Sequence, residues 1–263
     1  MDAKNSIARA KERINLLNVP IDIVEKENLP IVIGDLLGSG EAKHIVLLSL
    51  WDLLRAMRNN EYRSYVLNAD VIIPISKSLV GGSRFLLGKE PIRYMPFDFI
   101  IALLSLLEIR EQSVYLMGGK KKVIEKAEKN VKHTFPRLQI VGRCYMGRFK
   151  KSKEDVILEA IRKAAPSLLL VGKGVQGEEL WIQRKSGKLV PGIRLWCSDM
   201  YEVFANKKRH PTEYTFQHGL EWIGFCLKKP VRLLRLLPYV YYVLLLLFYK
   251  FFKNKKVFPA KEQ

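Results

Sequence analysis

Cysteine is scarce in this chain and wrongly spaced for either of its structural uses. Cys144, Cys197 and Cys226 are odd in number and far apart, which excludes a disulfide framework and a paired-cysteine zinc site and fits a reducing compartment. Four histidines occur, none at metal-ligand spacing with another, and there is no Asp-x-Asp motif, so no metal and no other cofactor is expected. The first residues, Met1 to Asn5, lack the apolar stretch of a secretory signal, so export is not expected. Zinc-finger, RRM and homeodomain patterns are all missing, and nucleic acid is therefore not among the expected partners. Acidic residues are also in short supply. Lysine and arginine number 45 against 26 aspartates and glutamates, a net charge of +19, which directs the chain toward a polyanion: a phosphorylated substrate or an anionic lipid.

What is present is ample apolar material, 48% of 263 residues, enough for a substantial core and against disorder. From about residue 28, short apolar β-rich runs alternate with longer amphipathic ones, the pattern of an α/β fold on a mostly parallel, Rossmann-like sheet. Strands are predicted at Pro30 to Ile33, His44 to Leu48, Asp70 to Ile75, Val114 to Met117, Leu138 to Val141, Ser167 to Val171 and Ile193 to Trp196. Helices are predicted near Leu50 to Leu67, Phe97 to Glu111, Lys121 to His133, Lys153 to Ala164 and Glu178 to Lys185. Ser152 with Asp155 forms a capping box, and Pro166 closes that helix. The expected division is an α/β domain over residues 1–211 and a C-terminal helical, membrane-associating appendage over 212–263.

Several residues suit chemistry. Gly118-Gly119 leaves a strand and opens a helix, where exposed backbone N–H groups bind anions, unless the pair is a plain tight turn. Gly172 to Ile182 repeats the strand-glycine-helix pattern with Glu178 and Glu179, which either complement a helix dipole or accept hydrogen bonds from ligand hydroxyls. Neither segment has dinucleotide or Walker A spacing. Asp98, after Pro96, either caps a helix or acts as a general base. Arg232 and Arg235 stand one helical turn apart, a spacing suited to phosphate oxygens.

These arginines run into Leu236 to Tyr249, an apolar run of 14 residues with four tyrosines, flanked on the far side by Lys250, Lys253, Lys255 and Lys256. A bilayer span needs roughly 20 residues, so the run predicts a helix at the membrane interface held by tyrosines and cations. A buried helix or a dimer interface is one alternative, which places a homo-oligomer among the possible assemblies; a spanning anchor is another, since extension through Phe252 gives nearly the length of a tilted span.

The chain resembles the WecG/TagA/CpsF glycosyltransferases over residues 12–236. The likeness rests on Ile14 to Asp22, Asn68 to Pro74, Arg93 to Asp98, Tyr115 to Gly119, Phe135 to Gly142, Gly172 to Ile182, Lys208 to Pro211 and Leu220 to Arg235. It implies transfer of a sugar, often N-acetylmannosamine, from a UDP-sugar donor to a polyprenyl-diphosphate-linked acceptor. The expected setting is cell-surface polysaccharide or teichoic acid-type assembly by a protein attached peripherally to the cytoplasmic face of the membrane. It also implies that Arg232 and Arg235 contact the donor diphosphate, and that Gly118, Gly119, Tyr145 and Glu179 lie near substrate. The chain departs from the family at Pro74-Ile75-Ser76, where the family reads Pro-Asp-Gly and supplies its proposed base. A second family aspartate aligns near Tyr201, with Asp199 and Glu202 close by; a family asparagine falls at Ser49, and an arginine at Phe225. With Ile75 unable to take a proton, Asp98 and Glu178 become the candidate catalytic residues. The alternative is a catalytically impaired relative that binds a sugar nucleotide or a glycan lipid beside another transferase.

Overall fold

Near the N-terminal end of the described residues stands a feature the sequence does not advertise. Strands β1 (Glu12–Leu16) and β2 (Val19–Ile23) pair antiparallel through the two-residue turn Leu17-Asn18, at φ values of 52° and 63°. Such hairpin turns normally announce themselves with glycine, and none is present. The computed structural model describes residues 10–145, 154–219 and 237–253.

Among those residues the chain divides into two compact units: 1–26 with 47–95 and 211–263, and 27–46 with 96–210. A six-stranded parallel sheet has the order β4-β3-β8-β7-β5-β6. Its strands are β3 (Ala42–Leu48), β4 (Val71–Pro74), β5 (Ser113–Met117), β6 (Gln139–Cys144), β7 (Leu168–Gly172) and β8 (Gly192–Ser198). All five residues of β7 and all four of β4 are buried, as expected for strands covered on both faces. The expected α/β Rossmann-like class is therefore the observed one.

In the first unit, Asp22 holds the hairpin to the start of β4. Its fully buried carboxylate takes two bonds from Arg13, Nε to Oδ1 at 2.7 Å and Nη2 to Oδ2 at 2.8 Å, and a third from the Ile72 N–H at 2.7 Å. Arg13 also donates to the Ala69 and Asp70 carbonyls. Hydrogen bonding to Asp22 raises the affinity of the Arg13 guanidinium for its proton.

The remaining first-unit helices are α2 (Leu50–Arg58), α3 (Asn60–Leu67), α4 (Lys77–Leu87), α10 (Glu213–His218) and α11 (Leu237–Phe248). The helix expected over Leu50 to Leu67 is broken at Asn59, whose side chain caps the second piece by accepting from the Tyr62 N–H at 2.8 Å. Helix α4 falls where the sequence predicts no element, and it carries Gly81-Gly82 in its interior, where glycine weakens a helix. Within this unit Tyr242 of α11 packs on Gly82 and donates to the Ser78 carbonyl at 3.1 Å. The predicted C-terminal apolar helix is thus present as α11, followed by a π-helical turn over Tyr249–Lys253. Among the described residues no helix is long and apolar enough to cross a membrane.

In the second unit the helices are α1 (Leu29–Gly38), α5 (Pro96–Ile109), α6 (Lys121–Thr134), α7 (Glu154–Ala164), α8 (Leu180–Arg184) and α9 (Met200–Phe204). Residues 30–33, predicted as a strand from their β-branched run, lie in α1. Pro30 sits in the first turn, where its missing N–H costs nothing, and Leu29, Val32, Ile33 and Leu36 form the buried face. The capping box at Ser152 lies outside the described residues.

Candidate functional site at the carboxyl ends of the strands

In a parallel α/β sheet the carboxyl ends of the strands lie on one edge, where ligands bind. In the second unit that edge is laced by backbone hydrogen bonds. The Gly118 N–H donates to the Cys144 carbonyl at 2.8 Å, Gly119 N–H to Lys173 carbonyl at 2.7 Å, and Lys173 N–H to Ser198 carbonyl at 2.6 Å. The loops after β5, β6, β7 and β8 are therefore tied together, and the two glycine segments singled out in the sequence meet here. Gly118, at φ +124°, passes so close to β7 that a Cβ would stand 2.6 Å from the Gly172 carbonyl oxygen, so only glycine fits.

The same bonds correct one expectation. The N–H groups of Gly118 and Gly119 point at neighbouring carbonyls, so they are not the exposed anion donors the strand-turn-helix pattern suggested. What the turn supplies is shape: Gly118 lets the chain pass close to Gly172, and Gly119 lies beside the side chains of Tyr201 and Val123. Tyr145, 45% exposed, directly follows the Cys144 carbonyl that receives Gly118.

After β7 the chain does not enter a helix at Glu178, as predicted. Glu178 lies in a turn at φ +50°, its N–H donating to the Val175 carbonyl at 3.0 Å, and α8 begins at Leu180. A non-glycine residue at positive φ is uncommon and held by its surroundings. The two glutamates consequently separate: Glu178 is exposed, and Glu179 is 5% exposed. Neither reads as a helix-dipole carboxylate in the first turn of α8.

Asp199 follows β8 and pairs with Lys208. Next to it, Tyr201 is fully interior. Its hydroxyl accepts from the Met117 N–H at 3.1 Å and donates to the Leu170 carbonyl at 2.7 Å, a bridge between β5 and β7. Burial raises the Tyr201 phenol well above its ordinary value, which keeps it neutral. The residue aligned with a family aspartate is thus part of the scaffold, and the carboxylates beside it are Asp199 and the exposed Glu202.

Asp98 is exposed in the first turn of α5, behind Pro96. Its neighbour Phe97 stacks flat on His210, with centroids 4.5 Å apart and planes 4° from parallel, and tilts against Phe204 of α9. His210 belongs to the Lys208 to Pro211 stretch of the family likeness, but no spacing rule links residues 97 and 210, and only the fold brings them together.

At the ends of β3 and β4, in the first unit, the departures from the family pattern also have structural occupants. Ser49 caps α2 in a reciprocal box with Asp52, whose other oxygen accepts from the Tyr62 hydroxyl at 2.8 Å. The Ile75 N–H donates to the Leu48 carbonyl at 2.9 Å, and its carbonyl accepts from Arg93 Nε at 3.0 Å. No carboxylate replaces the one expected at position 75 itself. Arg232 and Arg235 lie outside the described residues.

A family model described as the glycosyl transferase WecG/TagA/CpsF family matches residues 14–257. Among curated proteins, the N-acetylglucosaminyldiphosphoundecaprenol N-acetyl-beta-D-mannosaminyltransferase of Bacillus spizizenii strain W23 is 29% identical over 189 residues, 72% of each chain. Its namesake in Bacillus subtilis strain 168 is 23% identical over 208 residues, 79% of each chain. That of Staphylococcus aureus strain NCTC 8325 is 23% identical over 172 residues, 64% of this chain and 65% of the relative.

Proposed function

The chain belongs to the WecG/TagA/CpsF family of glycosyltransferases, and from that premise we propose that it transfers an N-acetylhexosamine from a UDP-sugar to a polyprenyl-diphosphate-linked acceptor in teichoic acid-type or related surface polysaccharide assembly. N-acetylmannosamine is the sugar named for its relatives, and N-acetylglucosaminyl-diphosphoundecaprenol their acceptor. The observation that carries this reading is the convergence of the Gly118-Gly119 and Gly172–Gly174 loops at the carboxyl edge of the parallel sheet. That edge is where such sheets hold nucleotides.

In the transfer, an acceptor hydroxyl oxygen attacks the anomeric carbon, a glycosidic C–O bond forms, and the bond to the UDP β-phosphate oxygen breaks. The diphosphate leaves with the bonding electrons, and the hydroxyl proton passes to a carboxylate. Asp98 and Glu178 are the proposed bases, since both are exposed at turns where a substrate hydroxyl can reach them. Glu179 is assigned to substrate binding, with Gly118, Gly119 and Tyr145 near the nucleotide. Arg232 and Arg235 would offset charge developing on the departing diphosphate. We assign residues 212–263 to membrane attachment at the cytoplasmic face; a homo-oligomer is compatible with the same segment.

Ile75 and the interior Tyr201 support a second reading, a relative that binds donor or glycan lipid without turnover. One experiment separates the two: radiolabelled UDP-N-acetylmannosamine is incubated with the protein and N-acetylglucosaminyl-diphosphoundecaprenol, and the extracted lipid is analysed. A labelled disaccharide lipid supports the transferase. UDP binding by calorimetry without any labelled lipid would replace it with the binding partner.

A further inference from the structure

From the adjacent strands β5 and β7 the chain departs in opposite directions. β5 runs on through α6 to β6 on one side, and β7 runs on to β8 on the other, in the order β8-β7-β5-β6. Such a reversal leaves a crevice outside the carboxyl ends of the pair, the place where open α/β sheets take their ligands. Both glycine loops, Gly118-Gly119 and Gly172-Lys173-Gly174, start from this pair of strand ends.

One interior side chain joins the two strand ends. With Met117 opposite Val171, the Met117 N–H and the Leu170 carbonyl face one another across the strands. The Tyr201 hydroxyl bonds to both, accepting from the first at 3.1 Å and donating to the second at 2.7 Å. Its ring is fitted as closely to the loops: a Cβ on Gly172 would stand 2.5 Å from Tyr201 Cδ2 and Cε2, and one on Gly119 would stand 3.7 Å from Cδ2. Tyr201 is carried by α9, which packs on α6, so the tie extends to the helix that follows Gly118-Gly119. The family pattern reads an aspartate here. An ionised carboxylate accepts hydrogen bonds and donates none, so it cannot serve an N–H and a carbonyl together, whereas a hydroxyl does both. The clamp is therefore a device of this chain's own residue.

We propose that Tyr201 is a positioning residue for the donor: it holds the two glycine loops at the spacing that receives the nucleotide, without touching the nucleotide itself. The inference rests on the donor-binding reading above and adds to it the residue that sets the shape of the site. A buried hydroxyl whose bonds both go to backbone groups moves no proton in the reaction. Its loss is felt in donor affinity and spares the chemical step at saturating donor, the signature of binding that is equal in ground and transition states.

The test is calorimetric titration of the full chain with UDP. Three proteins are compared: wild type, Tyr201→Phe, which keeps the ring and removes the hydroxyl, and Val131→Ala, which trims a buried side chain in the last turn of α6. Melting curves rank their stabilities, and the rise in melting temperature on adding UDP gives a second reading of affinity for a variant that is only marginally folded. Tyr201→Phe is expected to bind UDP about 10-fold more weakly than wild type, the loss equivalent to one net hydrogen bond, and Val131→Ala to bind as wild type although it also melts earlier. Single-turnover transfer at saturating donor is expected to be the same in Tyr201→Phe and wild type. Unchanged affinity in Tyr201→Phe, or equal weakening in both variants, would overturn the positioning role and leave the donor reading standing. A slower chemical step at saturating donor would overturn it too, by making the hydroxyl part of the reaction. Wild type that binds no UDP would remove the donor reading and the proposal with it.

Discussion

The hydroxyl of Tyr242 stands in the space that a side chain at Gly82 would need. A Cβ built on Gly82 meets the Tyr242 hydroxyl first, then its ring carbon Cζ at 2.9 Å and Leu246 Cδ2 at 3.3 Å. Tyr242 is 2% exposed, and its buried phenol is pushed toward the neutral form while it donates to the Ser78 carbonyl. This knob-and-gap contact seats α11 on α4.

Gly82→Ala is therefore expected to loosen α11, costing about 1–3 kcal/mol of docking through overpacking. Hydrogen exchange over residues 237–248 should quicken while the second unit is unchanged. Pairing it with Tyr242→Leu should give less than the sum of the two single effects, the mark of a direct contact. Additive effects would mean that Gly82 matters for α4 alone.

Asp22→Ala removes the acceptor of three close hydrogen bonds and leaves Arg13 without its carboxylate. Breaking a buried pair from one side typically costs about 3–5 kcal/mol. Denaturant unfolding should show a loss toward the lower end of that range, because the carboxylate is fully buried while the Arg13 side chain is 33% exposed.

Cys197 lies 3% exposed in β8, and burial pushes its thiol from an ordinary 9.0 up to about 12. A raised folded-state value means that the stability it supports is complete below the unfolded thiol's pKa and is lost as pH rises through the folded one. The melting temperature is thus expected to fall between about pH 9 and 12, with a shallower slope in Cys197→Ala. Below that window a thiol reagent should label the half-buried Cys144 and spare Cys197 until the protein unfolds. Labelling of native Cys197 at pH 8 would contradict the burial.

Six of the seven predicted strands occur; β4 and β7, buried along their whole length, are short apolar runs between turn signals, the form in which parallel strands covered on both faces are written, whereas β6 at the sheet edge has no buried residue. The seventh, at residues 30–33, failed because a four-residue apolar run has no period of its own, and Pro30 serves the start of a helix as readily as the edge of a strand. The β1–β2 hairpin escaped because Leu17 and Asn18 adopt left-handed turn angles without glycine, and α4 escaped because Gly82 serves a tertiary contact. At the candidate site, the glycine loops were legible as local patterns, and their meeting was not. The roles of Tyr201 as a strand bridge and of His210 as a stacking partner depend on residues 84 and 113 positions away in the chain, beyond any local rule.

The transferase reading stands or falls on whether a carboxylate of this chain moves the acceptor's proton. The direct measurement is single-turnover sugar transfer by wild type, Asp98→Asn and Glu178→Gln, with calorimetric affinity for UDP measured on the same preparations. One of the two variants is expected to slow transfer by about 10²- to 10⁴-fold while binding UDP as tightly as wild type. Undiminished transfer in both would contradict the assignment of the base, and wild type that binds UDP yet transfers nothing would contradict the enzyme itself.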